Sequence, residues 1–195
     1  MRVETVVKLG GGLLAHVDHF NAALATISDA ATSHHVLIVP GGGPFADAVR
    51  DVDRRLGLGD EAAHWMAVLA MDQYAHLIAA KLARAVVVAE PRDIADALGA
   101  SPAGHVPVLA PYRWLRETDP LPHSWDVTSD TIAAWVAGRV GARRLVLVKP
   151  PGLRTSSECD VVDACFSRAL PAGVRTVIVP GDQVDELRLA LFAPA

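Results

Sequence analysis

Aromatic residues are scarce in this chain of 195 residues: Phe, Trp and Tyr make up 5% of it, although 51% of the positions are hydrophobic. The apolar content is therefore largely alanine and aliphatic, which suits helices lying close against a sheet and says little about a ligand. Cysteine is nearly absent. Cys159 and Cys165 form one C-x5-C pair, which makes neither a disulfide framework nor a recurrent metal site, so reduced thiols in a cytoplasmic protein are expected. Basic tracts and arginine stripes are missing, and 18 Lys plus Arg stand against 22 Asp plus Glu for a formal charge of -4. That balance argues against nonspecific nucleic-acid binding, and an anionic substrate would need local lysines or amides to hold it. No uninterrupted apolar run reaches membrane-spanning length. Glu4 and Lys8 interrupt the apolar opening, which reads as strand and loop and not as a leader. Histidines are dense at His16, His19, His34 and His35 but fall on separate elements without a cysteine partner, so no metal site is expected. G-x-S-x-G, G-x-G-x-x-G and G-x-x-x-x-G-K-[ST] are all lacking, which removes the usual hydrolase elbow, dinucleotide fingerprint and P-loop.

The chain does carry a regular alternation of short apolar runs and helical spacings. "VETVVKLGGG" is a strand entering glycines, and "HVDHFNAALATISDAA" follows with Phe20, Leu24 and Ile27 on one helical face. "HHVLIVPGGGPFADAV" repeats the arrangement, with a strand at Val36–Val39, a glycine turn and Pro44 in the first turn of a helix. Asp60 is placed to cap a long helix from Glu61 to about Arg84, with Leu69, Met71, Leu77, Ile78 and Leu82 as apolar positions. Strands at "AVVVA" and "VPVLA" bracket a short helix at Ile94–Leu98, and the Pro- and Trp-containing stretch Pro111–Thr128 reads as an irregular excursion, a packed loop or a lid. A helix from Asp130, a strand at Leu145–Val148, a loop at "KPPGLRTSS", a helix at 160–169, a strand at 174–179 and a helix at 183–191 complete the chain. Continuously apolar strands with helices between them predict an α/β domain spanning 1–195, its mostly parallel sheet covered on both faces.

In such a sheet the reaction crevice lies beyond the strand C-termini, where both glycine clusters fall. Gly10, Gly11 and Gly12, and Gly41, Gly42 and Gly43, lack β-carbons that would keep a phosphate from the main chain, and each run leads toward a helix N-terminus. Lys8 and Lys149 end apolar strands, so each is either a solvated strand terminus or a cation over a transferring phosphoryl group. Asp130 caps its helix, orients those lysines, or does both. His64 is a donor to an acceptor phosphate or a structural histidine. Asp72 and Gln73 meet a cationic substrate end or form a solvated face, and Asp47 and Arg50 are open in the same way near the second glycine turn. Trp65 and Trp135 sit in apolar helical spacing and are expected to pack.

Together, "VVKLGGG", "VPGGGPFADAV", "SDTIAAWVA" and "LVLVK" resemble the amino acid kinase family, which includes acetylglutamate, aspartate and uridylate kinases, in order along essentially the whole chain. The resemblance implies a three-layer αβα sandwich and direct phosphoryl transfer from Mg-ATP to a small anionic acceptor. It implies Lys8 and Lys149 on the transferring group with Asp130 organising them. Gly10–Gly12, Lys149 and Gly152 would lie on the nucleotide, and Gly41–Gly43 near the acceptor. The longer run from "PGGGPFADAV" through "DEAAHWMAVLAMDQYA" resembles the methanofuran-biosynthesis branch of the family, which phosphorylates [5-(aminomethyl)furan-3-yl]methyl phosphate to its diphosphate. A homo-oligomer is implied as well. Two features depart from the family pattern. Gly12 stands where serine is frequent, and Pro150, Pro151 and Gly152 stand where a D-x-x-G-like nucleotide loop often begins. Both leave open a protein that binds a nucleotide or anion without catalysis.

Overall fold

A computed structural model describes residues 3–99, 104–153 and 162–193. Its strands are β1 (Thr5–Leu9), β2 (Val36–Pro40), β3 (Ala85–Val88), β4 (Val106–Leu109), β5 (Arg144–Lys149) and β6 (Arg175–Pro180). They form one sheet in the order β3-β4-β2-β1-β5-β6, with every adjacent pair parallel. The helices are α1 (Val17–Ala30), α2 (Gly43–Leu56), α3 (Asp60–Lys81), α4 (Pro91–Leu98), α5 (Tyr112–Thr118), α6 (Ser129–Val140), α7 (Phe166–Ala169) and α8 (Val184–Phe192). A short 3-10 turn, Gly11–Ala15, joins β1 to α1. Helices cover both faces of the sheet, giving an αβα arrangement.

Strand side chains alternate between faces, so one strand feeds two cores. Val7, Leu9, Ile38, Val146 and Val148 pack against Phe20, Leu24 and Ile27 of α1, Ile78 of α3 and Leu187 of α8. Val6, Leu37, Val39, Leu145 and Leu147 pack on the other face against Ile132, Ala133 and Val136 of α6 and against Trp65, Val68 and Met71 of α3. This parity decides where the chemistry lies. Lys8 is two residues beyond Val6 and Lys149 two beyond Leu147, so both project to the α6 face. Lys8 pairs with Leu147 across the β1–β5 ladder, which puts Lys149 roughly 7 Å further toward the C-terminal edge.

Local signals set most boundaries. Gly57 (φ +64) and Gly141 (φ +65) end α2 and α6 in the left-handed region. Asp60 and Glu61 lie in the first turn of α3 and Lys81 in its last, matching the helix dipole. Asp60 is nevertheless the first helical residue and not the cap; Gly59 (φ +77) holds that position. The stretch expected to be irregular from Pro111 carries α5 before becoming loop, because Asp72 Oδ1 accepts from the Tyr112 N–H at 3.1 Å and Trp114 and Leu115 are buried. α4 begins at Pro91, ahead of Ile94, with Glu90 and Asp93 forming a capping box. Leu69, expected on the apolar face of α3, is 41% exposed. Of the helix expected at 160–169, residues 160 and 161 lie outside the described residues, as does Cys159, and the described helix is α7 alone. Cys165 is a free thiol. No helix of the described residues is long and apolar enough to cross a membrane.

Candidate active site

The N-terminus of α6 lies over the ends of β1 and β5, and Asp130 hangs between their lysines. Lys8 Nζ is 2.9 Å from Asp130 Oδ1, and Lys149 Nζ donates to Asp130 Oδ2. The three side chains are only 6%, 10% and 5% exposed for Lys8, Lys149 and Asp130. Lysine is rare in this chain, and Lys8, Lys81 and Lys149 are its full complement. Burial pushes the Asp130 carboxyl upward, but the two ammonium groups outweigh it and hold its pKa below the usual carboxylate value. Burial and the neighbouring Lys8 pull the Lys149 pKa down, against the pull of Asp130 and Asp163. Two buried ammonium groups at the C-terminal edge of the sheet favour an anion in the space above them.

Two glycine turns form the rim of this floor. Their missing side chains are explained first by one chain packing on another. A β-carbon on Gly11 would lie 2.1 Å from the Gly43 Cα, one on Gly12 2.5 Å from the Pro150 ring, and one on Gly41 2.7 Å from the Gly11 nitrogen. The backbone donors then sort themselves. Gly10 and Gly41 spend their N–H groups on Val148 O and Leu9 O, each at 2.8 Å, as extensions of the ladder. Gly11, Gly12 and Gly43 begin the 3-10 turn and α2, and helix geometry leaves first-turn N–H groups without intrahelical acceptors. These are the amides suited to an anion, at the positive ends of two helical segments.

A cavity of about 410 Å³ opens above the triad, lined by Lys8, Gly10, Gly11, Gly12, Gly42, Gly43, Asp47, Arg50, His64, Asp130 and Lys149 among others. Its far wall is built differently from its floor. Arg50 pairs with Asp47 at 3.0 Å and lies 4.8 Å from the centre of the Trp125 ring. Trp125 Nε1 donates to Asp53 Oδ2 at 2.8 Å, which ties the loop before α6 to α2. His64 stacks on His123 with ring centres 4.7 Å apart and meets Trp65 edge-on at 4.8 Å. Burial and the adjacent His123 lower the His64 pKa to about 4, so at neutral pH it presents an uncharged ring.

Four expected site residues stand elsewhere. Gly41 is buried outside the lining, with its amide in use. Asp72 faces α5, where burial raises its pKa to about 6 despite the Tyr112 N–H. Gln73 is exposed, because the turn of α3 that reaches the cavity carries His64, Ala67, Val68 and Met71. Gly152 (φ +76) donates its N–H to Asp182 Oδ1 at 3.3 Å, away from the described lining. Trp65 packs into the α6-side core, as expected for it, and Trp135 packs on Trp114 at 4.8 Å. Sequence reasoning missed Trp125, whose only signal was its place in the Pro-rich excursion, and Asp163, which carried none.

Residues 4–150 match the sequence model of the amino acid kinase family. The chain belongs to the amino acid kinase family. It is 27% identical over 142 residues to the [5-(aminomethyl)furan-3-yl]methyl phosphate kinase of Methanocaldococcus jannaschii, a stretch covering 73% of this chain and 63% of that protein. The chain thus spans less than two thirds of the length of that relative. Among solved structures, uridylate kinase from Archaeoglobus fulgidus superposes with a TM-score of 0.72 at 19% identity, over 100% of this chain and 97% of that one. UMP kinase from Ureaplasma parvum gives 0.68 at 14% identity, over 97% of each chain. At those identities the likeness is one of fold.

A nucleoside triphosphate fits the residues of this amino acid kinase site. Lys8, Lys149 and the Gly11, Gly12 and Gly43 amides are donors for phosphate oxygens. A magnesium cage is not provided on the same terms: among the described residues no group of three His, Cys, Asp or Glu side chains could hold a metal ion. Asp130 is already committed to two lysines. A magnesium ion in this site would be held through nucleotide phosphates and water, where it lowers the repulsion between phosphate charges.

Proposed function

We propose that the protein is an ATP-dependent kinase that transfers the γ-phosphoryl group to the phosphate of a small amphoteric acceptor, with [5-(aminomethyl)furan-3-yl]methyl phosphate as the leading candidate. The observation that carries this is the buried Lys8–Asp130–Lys149 triad beneath two glycine turns that present first-turn amides. In transfer, the oxygen of the acceptor phosphate forms a new P–O bond as the bond to the ADP leaving oxygen breaks, giving ADP and a diphosphate. Lys8 and Lys149, separated along the sheet edge, set positive charge along that line, where charge on the migrating group develops. Asp130 holds both ammonium groups in place without itself taking a proton from the reaction.

The wall supports the acceptor class. Asp47 and Arg50 form a pair of opposite charges beside the aromatic faces of Trp125 and His64. An acceptor with a phosphate, a cationic aminomethyl group and a flat aromatic ring matches all three features. Asp47 takes the role that Asp72 cannot fill from its side of α3. Isopentenyl phosphate lacks the cation and the ring, and aspartate lacks the acceptor phosphate. A site with polar groups left unpaired discriminates more strongly than one that loses a little apolar contact.

The test is a turnover series at fixed Mg-ATP with product masses, comparing the furan monophosphate, isopentenyl phosphate, uridylate, acetylglutamate and aspartate. Gain of one phosphate on the furan compound with the highest kcat/KM supports the proposal. Preference for another acceptor removes the acceptor assignment, and nucleotide binding with no ADP formed on any acceptor leaves a binding protein on a kinase fold. Two further parts of this reading are self-association, supported by exposed Leu56, Met66 and Leu69 on α2 and α3, and a reducing compartment, supported by the free Cys165 thiol. Sedimentation that finds only monomer removes the first.

A further inference from the structure

Asp163 lies 33 residues beyond Asp130 in the chain and outside the lining of the cavity, yet its carboxylate is one of the most heavily used acceptors of the fold. Its Oδ2 accepts from the Thr128 N–H at 3.1 Å, the Thr128 hydroxyl at 2.6 Å and the Thr131 N–H at 3.1 Å. Its Oδ1 accepts from the Thr131 hydroxyl and from the Cys165 N–H, the latter at 3.1 Å. The four donors on residues 128 and 131 frame the first turn of α6, and Asp130 lies between them. The first turn of a helix ordinarily takes its cap from its own sequence. Thr128 already provides one here, accepting from the Asp130 N–H at 3.3 Å. A second cap brought from beyond β5 does something that a local cap does not: it locks the start of α6 to the segment that follows the Lys149 strand. The direction of Asp130 is thereby set from both sides of the ion triad.

We infer that Asp163 is the positioning residue of the reaction centre, a remote carboxylate that fixes the first turn of α6 so that Asp130 bridges Lys8 and Lys149. This rests on the reading of those three residues as the reaction centre. The same carboxylate acts electrostatically on Lys149. Among the described residues, the charged groups that bear on Lys149 are Lys8 from β1, Asp130 from α6 and Asp163 from the segment before α7, and Asp163 favours the charged ammonium. A group that served only to fasten one surface segment would change stability and leave Lys149 and the transfer step alone.

The lysine count makes the distinction measurable without a substrate. Protein labelled with ¹³C and ¹⁵N at lysine gives three side-chain signals, for Lys8, Lys81 and Lys149, with Lys81→Arg assigning the one outside the site. In Asp163→Asn the Lys149 titration moves to lower pH by about half a unit or more, because a carboxylate that favours the ammonium has become neutral. In single-turnover ADP formation with the furan monophosphate the same variant loses about tenfold or more in rate, with KM for ATP held within about twofold. Asp163→Glu, which keeps the charge, recovers the Lys149 titration. A folded Asp163→Asn with wild-type Lys149 titration and transfer rate overturns the inference. If Asp163→Asn does not fold, Thr131→Val decides: it removes one donor to Asp163, so faster amide exchange at Asp130 with a several-fold slower transfer supports the role, and an unchanged rate overturns it. If the wild-type protein transfers to no acceptor, the kinase reading fails by that result alone, while the Lys149 titrations still separate a positioning role from a structural one.

Discussion

The floor and the wall of the cavity are built on opposite principles. The floor is a triad of charged side chains nearly sealed from water, carried by two central strands and one helix N-terminus. The wall is a set of half-open contacts in which Asp47 is 71% and Arg50 47% exposed, carried by two helices and a loop. Charge in the floor acts through a medium from which water is excluded, so each group counts heavily there. Charge in the wall is screened by solvent and by salt, so its contribution lies in matching a shape and a pattern. The floor is therefore suited to the part of the reaction common to a nucleotide phosphotransferase, and the wall to the part that distinguishes one acceptor from another.

The largest break in that contrast should come from the floor. Lys149→Met or Lys8→Met is expected to reduce the single-turnover transfer rate by about 100- to 1000-fold, about 3–4 kcal/mol of transition-state stabilisation, with little change in the unfolding midpoint. Rates within a few-fold of wild type for both variants would show that the triad is a structural ion cluster. Next in size is the junction between the two regions. Gly11→Ala places a methyl 2.1 Å from the Gly43 backbone, where no side chain can swing aside, and is expected to cost about 3 kcal/mol in urea unfolding. Gly57→Ala, with open space around it but a φ of +64, should cost only about 1 kcal/mol.

Changes in the wall should be smaller and fall on a different constant. Trp125→Phe keeps an aromatic face but loses the hydrogen bond to Asp53, and is expected to raise the acceptor KM about threefold; Trp125→Ala should raise it about tenfold. In both, kcat should stay within about twofold. A fall in kcat with an unchanged KM would assign Trp125 to the floor instead.

The smallest effects are in the pH dependence of stability, where two groups of α3 have opposite signs. His64 has a folded pKa lowered from 6.5 to about 4, so its contribution is present above pH 6.5 and is lost as pH falls toward 4. Asp72 has a folded pKa raised from 3.8 to about 6. Its contribution is present below pH 3.8 and is lost as pH rises through 6. Solvent on its open side limits the Asp72 effect to on the order of 1 kcal/mol. Unfolding midpoints across pH 4–7 should therefore tilt one way in His64→Phe and the other in Asp72→Asn relative to wild type. Parallel curves for all three proteins would show that neither group titrates as its surroundings imply.

Period and punctuation in the chain determined a good deal by themselves. Strands buried on both faces are continuously apolar, so the parallel sheet was legible in runs such as "VLIV" and "RLVLV". Lysines at the ends of two such strands, and an aspartate opening a helix, were visible as candidates because ionisable residues are out of place there. What a linear reading could not supply was parity and packing between distant segments. Lys8 and Lys149 share a face only because β1 and β5 are neighbours in the register that pairs Lys8 with Leu147. Asp72 and Gln73 are polar residues of α3, as Asp47 and Arg50 are of α2, but the rotation of each helix about its own axis against the sheet decides which of them meets the cavity. Glycine was read from its freedom to admit a ligand, whereas Gly11 and Gly43 are small because two turns meet there at backbone distance. Asp163 lay beyond any local pattern, because its partners are brought to it by the crossing of β5 and not by spacing along the chain. The alternation of apolar and polar residues specifies elements, since it is a property of neighbours in sequence. The site is a property of neighbours in space, and only the assembled sheet and its two helical layers decided which residues those are.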